Sequence, residues 1–582
     1  MRLGFRSGNT RRRLLTVLVV TLLLFAAVVG RVVLLQTTGS DALRAAGKAQ
    51  RTSESVLHAR RGTIFARDGG ELALSVPSTT IIANPKLVTD AAGTVTVLSS
   101  MLQLGTEKQK SLYQAFLDKK KSFVYIARQV DDELAAAVLA LNLPGVDSIQ
   151  EDERIMPSGE VGRSILGRTD IDGVGIAGIE LQYNDLLTGT NGERIREHDR
   201  EGHSIPGSDS VTKQPVPGDD LVLTLDRSLQ FQVEQALVAR VEELKAQGGT
   251  VVVMDVHTGD IYAVANVKRD DDGNVGVTSA NLAAVEAFEP GSVAKVFSIS
   301  SVLDTGEATA DTTIDVPGRI VFDKDTEWER TITDAERHDV QPMTLHDIIV
   351  HSSNIGTLLL SERVGVTRFG EYMNLFGFGE PTALGFPGES AGQVKPADEL
   401  QGTEKATVTF GYGYSATAFQ LIAAVNVVAN GGTYVAPRML KATIGADGLV
   451  AEMPASPTHQ VLQPQTASTM TSLLTDVVCQ GTGQGARIDG LSVAGKTGTA
   501  YKLQDGGTYG EDGDRQYRAS FVGFFPAQNP QVTVLVTIDQ PDPTSRDRFG
   551  GTAAAPLFTK VAVAAIHELQ VMPTPGDTGC AG

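Results

Sequence analysis

A chain of 582 residues is too long for one ordinary core, and typical domain sizes predict about three or four domains. Apolar residues at 41%, charged residues at 20% and a mean hydropathy of -0.03 describe folded globular material, which excludes a disordered, collagenous or polytopic membrane protein. The net charge of -19 argues against a chain built to coat nucleic acid phosphates, and two cysteines cannot make a disulfide scaffold or a four-cysteine zinc site.

The N-terminal end contradicts the overall charge: Arg2, Arg6, Arg11, Arg12, Arg13 and Arg31 all precede the first acidic residue, Asp41. Between Arg13 and Arg31 lie 17 uncharged residues, LLTVLVVTLLLFAAVVG, which as a helix reach roughly 26 Å. With Arg31 snorkelling to the headgroups, the apolar run extends through Leu35. A cleaved signal peptide is the competing reading, but no clear A-x-A site follows. The arginines ahead of the span place the N-terminus in the cytoplasm and about 545 residues outside. Chemistry out there proceeds without ATP or NAD, so neither a cofactor nor a metal is expected.

From Thr37 to about Ser210, short β-rich stretches such as TIFARDGGELALSV and SFVYIARQV alternate with Gly/Asp turns and a helical DDELAAAVLALNL. This reads as an α+β module of limited core. The Pro/Gly-bearing join QPVPGDD at 214–220 marks a domain boundary, after which a strand passes into a long amphipathic helix. TVVVMDVHTGDIYAVANV then reads as a hairpin, and ASFVGFFPAQNPQVTVLVTIDQ near the far end as another strand pair. Helical periodicity dominates between them. Strands at both ends of a domain with helices between predict an antiparallel sheet covered by helices, with half of the sheet supplied late in the chain.

The sharpest local feature is Pro290-Gly-Ser-Val-Ala-Lys295. Pro and Gly punctuate and an apolar helix begins, so Ser292 falls in its first turn, where the helix dipole favours an alkoxide. Lys295 projects from the same face three residues on and takes the Ser292 proton if burial or a second cation depresses its pKa. Alone, S-x-x-K is weak, since it occurs by chance about twice in such a length, and an N-cap serine followed by a surface lysine fits as well. Ser352-Ser353-Asn354 follows an apolar helical run and offers a hydroxyl and an amide for proton relay and substrate binding; a helix cap or turn is the bland reading. Lys496-Thr497-Gly498-Thr499 sits in an extended segment, where Gly498 lets a substrate backbone lie against the strand edge and Lys496 supplies the second cation. S-x-x-K, S-x-N and K-T-G in that chain order is the serine-lysine acyl-transfer signature of penicillin-recognising enzymes.

The chain resembles a class B, monofunctional penicillin-binding protein over nearly its whole length. RRGTIFARDGGELA at 60–73 is similar to the family's membrane-proximal R-G-x-I-x-D-R-x-G pattern, with Ala66 where that pattern usually has Asp. LGRTDIDGVGIAGIELQYNDLLTGTNG at 166–192 and DREGHSIPG at 199–207 resemble its pedestal motifs, and FGYGYSATAFQL at 410–421 and VAGKTGTA at 493–500 its transpeptidase domain. The region between Asn84 and Pro157 is more similar to the cell-division enzymes than to the elongation ones. The resemblance implies an α+β fold: a cytoplasmic tail (1–13), a transmembrane helix (14–35), a pedestal (36–213), a penicillin-binding, serine β-lactamase-like transpeptidase domain (218–570) and a flexible tail (571–582).

It further implies a mechanism. Ser292 attacks the D-Ala-D-Ala carbonyl of a peptidoglycan stem peptide with Lys295 as base. Backbone N–H groups of Ser292 and Thr499 hold the oxyanion. Ser352 passes the proton to the departing D-Ala, Asn354 holds the stem-peptide amide with Ser353 beside it, and Lys496, Thr497, Gly498 and Thr499 bind the carboxylate end. An amine from a neighbouring strand takes the acyl group. β-Lactams would acylate Ser292 likewise, and the implied partner is a polytopic glycan polymerase of the division machinery, with no nucleic acid.

Other hits fail on context. Gly490 to Thr497 fits the Walker A pattern, yet no apolar strand precedes it. Gly173-Val-Gly-Ile-Ala-Gly178 fits a dinucleotide fingerprint without its strand. Glu151-Asp152 starts a glycosyltransferase-like motif that Ile155 spoils, against a bifunctional enzyme. Alternatives are an elongation-type transpeptidase, a D,D-carboxypeptidase or β-lactamase passing the acyl group to water, and a non-catalytic membrane β-lactam receptor or division scaffold. Cys479 reads as a small core residue and Cys580 as part of the tail, with a bridge between them the lesser reading. His351 reads as packing or rim, Trp328 as loop packing, and DGGTYGEDGDRQYR as a mobile acidic loop at the cleft.

Overall fold

The computed structural model describes residues 9–37, 40–197, 199, 205, 207–208, 210–322, 324–325, 329–502, 504, 508–510 and 515–580. Trp328, most of the 199–207 motif and much of the 503–514 loop lie outside them. The chain divides into two compact units, 1–59 with 190–216, and 60–189 with 217–582.

The first unit opens on a helix, Thr10–Thr37, of mean hydropathy 2.7 with no buried residue. Its 28 residues reach about 42 Å, more than a bilayer core needs. Thr16, Thr21 and Thr37 donate their hydroxyls to carbonyls one turn back, satisfying these polar groups within the helix, as a hydrocarbon surrounding demands. A second helix, Ser40–Arg51, leads into a three-stranded antiparallel sheet of Thr52–Leu57, Gly192–Glu197 and Ser210–Lys213, with the middle of these in its centre.

The second unit holds both the rest of the pedestal sequence and the C-terminal region. Strand Glu71–Ala83 pairs antiparallel with Val124–Val130 and Val146–Ile155, and helices pack on this sheet through Ile81, Leu98, Leu112, Phe116, Ile126 and Val138. The same sheet runs on through Ile64–Phe65 and Asp220–Leu223 to Leu440–Ile444, so strands far apart in sequence share one ladder. Ile64, Ile165, Ile179 and Leu187 belong to one continuous core with Val296, Phe419 and Leu474. The pedestal sequence thus has a limited core of its own and borrows the rest. Arg61 and Arg154 each donate to one oxygen of the fully buried Glu180 at 2.7 Å, a paired arrangement that a buried carboxylate requires.

The catalytic layer is a six-stranded antiparallel sheet in the order Val275–Val277, Ile261–Arg269, Gly248–Asp255, Val532–Asp539, Tyr517–Phe525, Ala494–Tyr501. Half of it comes late in the chain, as the two separated β-rich regions predict. Strand alternation feeds two cores: Val251, Val253, Phe521 and Val534 face one side, Val252, Met254, Val522 and Leu535 the other. The first side is covered by Arg227–Glu243, through Leu229, Val233, Leu237 and Val241 at four-residue spacing, and by Ala555–Glu568. Helices Lys295–Asp304, Ala418–Ala429 and Pro464–Cys479 contribute to the second. Ala494–Tyr501, which carries K-T-G, is the edge strand.

Two expectations about the C-terminus need correction. Cys479 and Cys580 form a disulfide across 101 residues of sequence, and Asp577 Oδ2 accepts from both the Ser492 N–H (2.9 Å) and the Ser492 hydroxyl (2.8 Å). The terminal segment is therefore fastened beside the start of the edge strand. Its Pro, Gly and Ala composition suggested a free tail because a tether made by one cysteine and one aspartate leaves no periodic pattern.

Candidate active site

Pro290 ends an extended segment, and Gly291 turns the chain with a φ of +53°, a conformation that side chains disfavour. A Cβ on Gly291 would also sit 3.1 Å from the Thr499 carbonyl oxygen, so the Ser292 and Thr499 backbones are neighbours. A 3₁₀ turn, Gly291–Ala294, then precedes the α-helix Lys295–Asp304. Residues three apart eclipse in a 3₁₀ turn, which sets Lys295 Nζ 3.0 Å from Ser292 Oγ. Ser292 stays half-buried while Lys295 is fully buried.

The S-x-N segment reverses direction between helices Leu345–Val350 and Asn354–Val364. Ser352 makes the reversal at φ +60°, unusual for a residue with a side chain. The turn presents three acceptors to Lys295 Nζ: the Ser352 carbonyl at 2.5 Å, Asn354 Oδ1 at 2.7 Å and Ser352 Oγ at 3.1 Å. Lys496 Nζ approaches Ser352 Oγ from the other side at 3.0 Å. Ser292, Lys295, Ser352, Asn354 and Lys496 thus converge on one cluster.

Ser353 does not join it. Its hydroxyl caps the following helix by accepting from Gly356 N at 2.8 Å and donates to Asp334 Oδ2 at 2.6 Å, leaving the residue 3% exposed. The expectation that it contacts substrate gives way to the cap reading, because consecutive residues at a helix start point in different directions. His351 is exposed at the rim.

Strand alternation sorts the K-T-G-T residues onto two faces. Lys496 points to Ser352, and Gly498 lies against the nucleophile turn, where a Cβ would come within 2.9 Å of Val293 Cγ2 and 3.0 Å of the Pro290 carbonyl oxygen. The space at Gly498, expected for a substrate backbone, is therefore filled by the turn that carries Ser292. Thr497 Oγ1 lies 3.4 Å from Lys496 Nζ and 2.7 Å from Thr482 Oγ1, and Thr499 Oγ1 accepts from Gly550 N at 3.1 Å.

Burial and the neighbouring Lys496 push the Lys295 pKa well below that of an ordinary lysine, with Asp334 opposing. Burial brings Lys496 down to about 7. The contacts of Lys295 sort accordingly. Two partners, the Ser352 carbonyl and Asn354 Oδ1, can only accept, and they are the two closest. A neutral amine has two N–H groups for these and one lone pair left. The remaining neighbours are hydroxyls, so that lone pair can accept from Ser292 Oγ–H. Such an arrangement has the geometry to take the serine proton without a histidine.

Sequence reading missed several groups. Asp334 Oδ1 accepts from the backbone N–H groups of Asn354 (2.6 Å) and Ile355 (3.0 Å). Asn354 Nδ2 donates to Thr333 O at 2.9 Å, which fixes the amide with its oxygen toward Lys295. Glu289, three residues before Ser292, accepts from Gly413 N at 2.8 Å and from Tyr509 Oη at 2.9 and 3.0 Å, with its carboxyl pKa raised by burial. None belongs to a spaced motif; Glu289 at least stands beside one, whereas Asp334 carries no such signal.

Comparison with known proteins matches the chain to a family. The family described as penicillin binding protein transpeptidase domain matches residues 249–562, and that described as penicillin-binding protein dimerisation domain matches 56–223. Penicillin-binding protein PbpB of Mycobacterium tuberculosis is 33% identical, covering 95% of this chain and 84% of the relative. Probable peptidoglycan D,D-transpeptidase PenA of Neisseria meningitidis is 32% identical over 98% of this chain and 95% of the relative. Peptidoglycan D,D-transpeptidase FtsI of Escherichia coli is 31% identical over 95% and 91%. Among solved structures, a peptidoglycan synthetase from Bifidobacterium adolescentis has a TM-score of 0.71 at 28% identity, covering 90% of this chain and 98% of that one. Penicillin binding protein 3 from Mycobacterium tuberculosis, complexed with aztreonam, has a TM-score of 0.68 at 29% identity over 90% and 99%. With both domains matched and a buried serine-lysine cluster in the second, the chain belongs to the class B penicillin-binding proteins.

Proposed function

We propose that this protein is a membrane-anchored peptidoglycan D,D-transpeptidase that cross-links stem peptides during septal wall synthesis and is acylated by β-lactams. The observation that carries the reading is the 3.0 Å approach of a buried Lys295 Nζ to Ser292 Oγ, with both carbonyl acceptors on its other sides. Relatives across nearly the whole chain are named D,D-transpeptidases, FtsI among them, and a structural neighbour is complexed with aztreonam.

In this mechanism Lys295 takes the Ser292 proton as Oγ bonds to the penultimate D-Ala carbonyl carbon. The oxyanion sits between the Ser292 and Thr499 backbone N–H groups. Collapse breaks the C–N bond, and the proton returns to the D-Ala amine through Ser352, which bridges Lys295 and Lys496. Lys496, Thr497 and Thr499 bind the terminal carboxylate. Asn354 Nδ2 donates one proton to Thr333 and keeps a second for the stem-peptide amide. A neutral acceptor amine then attacks the acyl carbon and gives its surplus proton to Lys295; the C–Oγ bond breaks, and Lys295 returns that proton to Ser292 Oγ.

The arginines before the apolar helix support an N-terminus in the cytoplasm. Residues 36–213 serve as the pedestal and 218–570 as the catalytic domain, and the partner met through the apolar helix is a polytopic glycan polymerase of the division machinery. Mass spectrometry of the protein incubated with labelled penicillin tests the reading: one adduct on Ser292, absent from Ser292→Ala, is expected. No adduct on folded protein, or labelling that survives the substitution, overturns it. Aminolysis product from a D-Ala-D-Ala thioester analogue with an amine acceptor separates a transferase from a hydrolase.

A further inference from the structure

We propose that Asp334, braced by His338, is the positioning residue that holds the Ser352–Asn354 turn against Lys295. The inference rests on the acyl-transfer reading of the site. Asp334 follows the strand Arg330–Thr333 of a hairpin outside all three motifs. Its side chain is 6% exposed, and its four contacts come from four donors: the Ser353 hydroxyl, the Asn354 and Ile355 N–H groups, and His338 Nε2 at 3.0 Å. A carboxylate has about four lone-pair sites, so all are used.

A helix start needs far less than this. Ser353 already caps the helix at Gly356 N, and burying a further carboxylate, from twenty residues away, on the Asn354 and Ile355 N–H groups is costly unless something depends on it. What depends on it is the path of residues 352–355. Ser352 holds a strained φ of +60°, which persists only where surroundings over-determine it. Asp334 and Thr333 grip Asn354 at its backbone N–H and its side-chain amide together, so the Ser352 and Asn354 acceptors reach Lys295 at fixed positions.

His338 locks the clamp. Its Nδ1 lies 2.6 Å from the Asp339 carbonyl oxygen and its Nε2 3.0 Å from the Asp334 carboxylate. Both acceptors favour a proton on the ring nitrogen that faces them, so the contacts favour the imidazolium form of His338. The Asp334 hydrogen bond and the Asp339 carbonyl raise its pKa in keeping with that, and the charged groups facing it are Asp334 and Asp339. Lys295 is the charge that feels Asp334 from the catalytic side.

The test is the second-order rate of acylation by a fluorescent penicillin between about pH 5 and 10, on full-length protein in detergent. Asp334→Ala is expected to lower the rate about 10²-fold at neutral pH through misplacement of the turn. Asp334→Asn keeps an oxygen for the two backbone N–H groups and should stay within about tenfold of the parent. Its acid limb should nevertheless move to lower pH, because losing the carboxylate charge lets Lys295 shed its proton more easily. A purely structural role would shift Tm and leave that limb in place. If Asp334→Ala does not fold, the limb of Asp334→Asn decides alone. Unmoved limbs and parental rates, with Ser292 still labelled in the parent, overturn this inference and spare the function; a parent that never labels at Ser292 overturns both.

Discussion

Lys295 and Lys496 both reach the Ser352 hydroxyl, and the burial that makes them useful also makes them costly. Replacing Lys295 with Met removes the only amine within reach of Ser292 among the described residues, and acylation should fall by about 10²–10⁴-fold, the usual worth of a positioned base. Burial lowers the Lys496 pKa to about 7, against 10.5 for an ordinary lysine. Below pH 7 the folded state carries the full cost of the buried charge, and the cost fades as pH rises toward 10.5, where the unfolded chain loses the proton too. Lys496→Met should therefore be inactive yet melt higher than the parent at pH 6, with the gap narrowing by pH 9 in a melting series. An equal or lower Tm at pH 6 would show that the hydrogen bonds of Lys496 outweigh its desolvation. Because Lys295 must be neutral and Lys496 charged, acylation should follow a bell in pH, both limbs lying below the range of ordinary lysines.

At the scale of elements, the site is a junction of three: a 3₁₀ turn, a reversed turn between helices, and an edge strand. Gly498 is where two of them touch. Gly498→Ala puts a methyl group 3.0 Å from a backbone carbonyl that cannot rotate away, so the nucleophile turn must shift. Overpacking of this kind costs about 1–3 kcal/mol, and acylation should drop by about tenfold or more while the sheet survives; melting and acylation on the same sample check both. The three motifs were readable because each is a short run whose spacing matches a helix turn or a strand. Their relation to Asp334 was not, since nothing in TITDAERHD ties that aspartate to a helix start twenty residues later. Ser353 shows the reverse error: adjacency in sequence suggested a shared role, and the helix geometry assigned it to the cap.

For the whole molecule, the disulfide closes a loop of about one hundred residues around the edge strand. Disulfides are typically worth about 2–4 kcal/mol, so Cys479→Ser with Cys580→Ser should lower Tm by several degrees, measured against the parent with and without reductant. A reductant-insensitive parent Tm would show that the Asp577 contacts carry the tether. Protease added outside intact cells should degrade the body of the protein and spare an N-terminal tag; the opposite pattern would reverse the proposed orientation.

The amino-acid sequence by itself determined the apolar helix, the alternating strands of the catalytic sheet and the three motifs, because each is local and is encoded by the period of a single element. The tertiary structure alone decided how those pieces act together: that the pedestal strands share a ladder with Asp220–Leu223, that Cys580 returns to Cys479, that Gly498 makes room for Pro290 rather than for substrate, and that Asp334 anchors the Asn354 turn. Those are contacts between segments distant in the chain, and their energy comes from burial and hydrogen-bond completion, which no periodicity in one segment records.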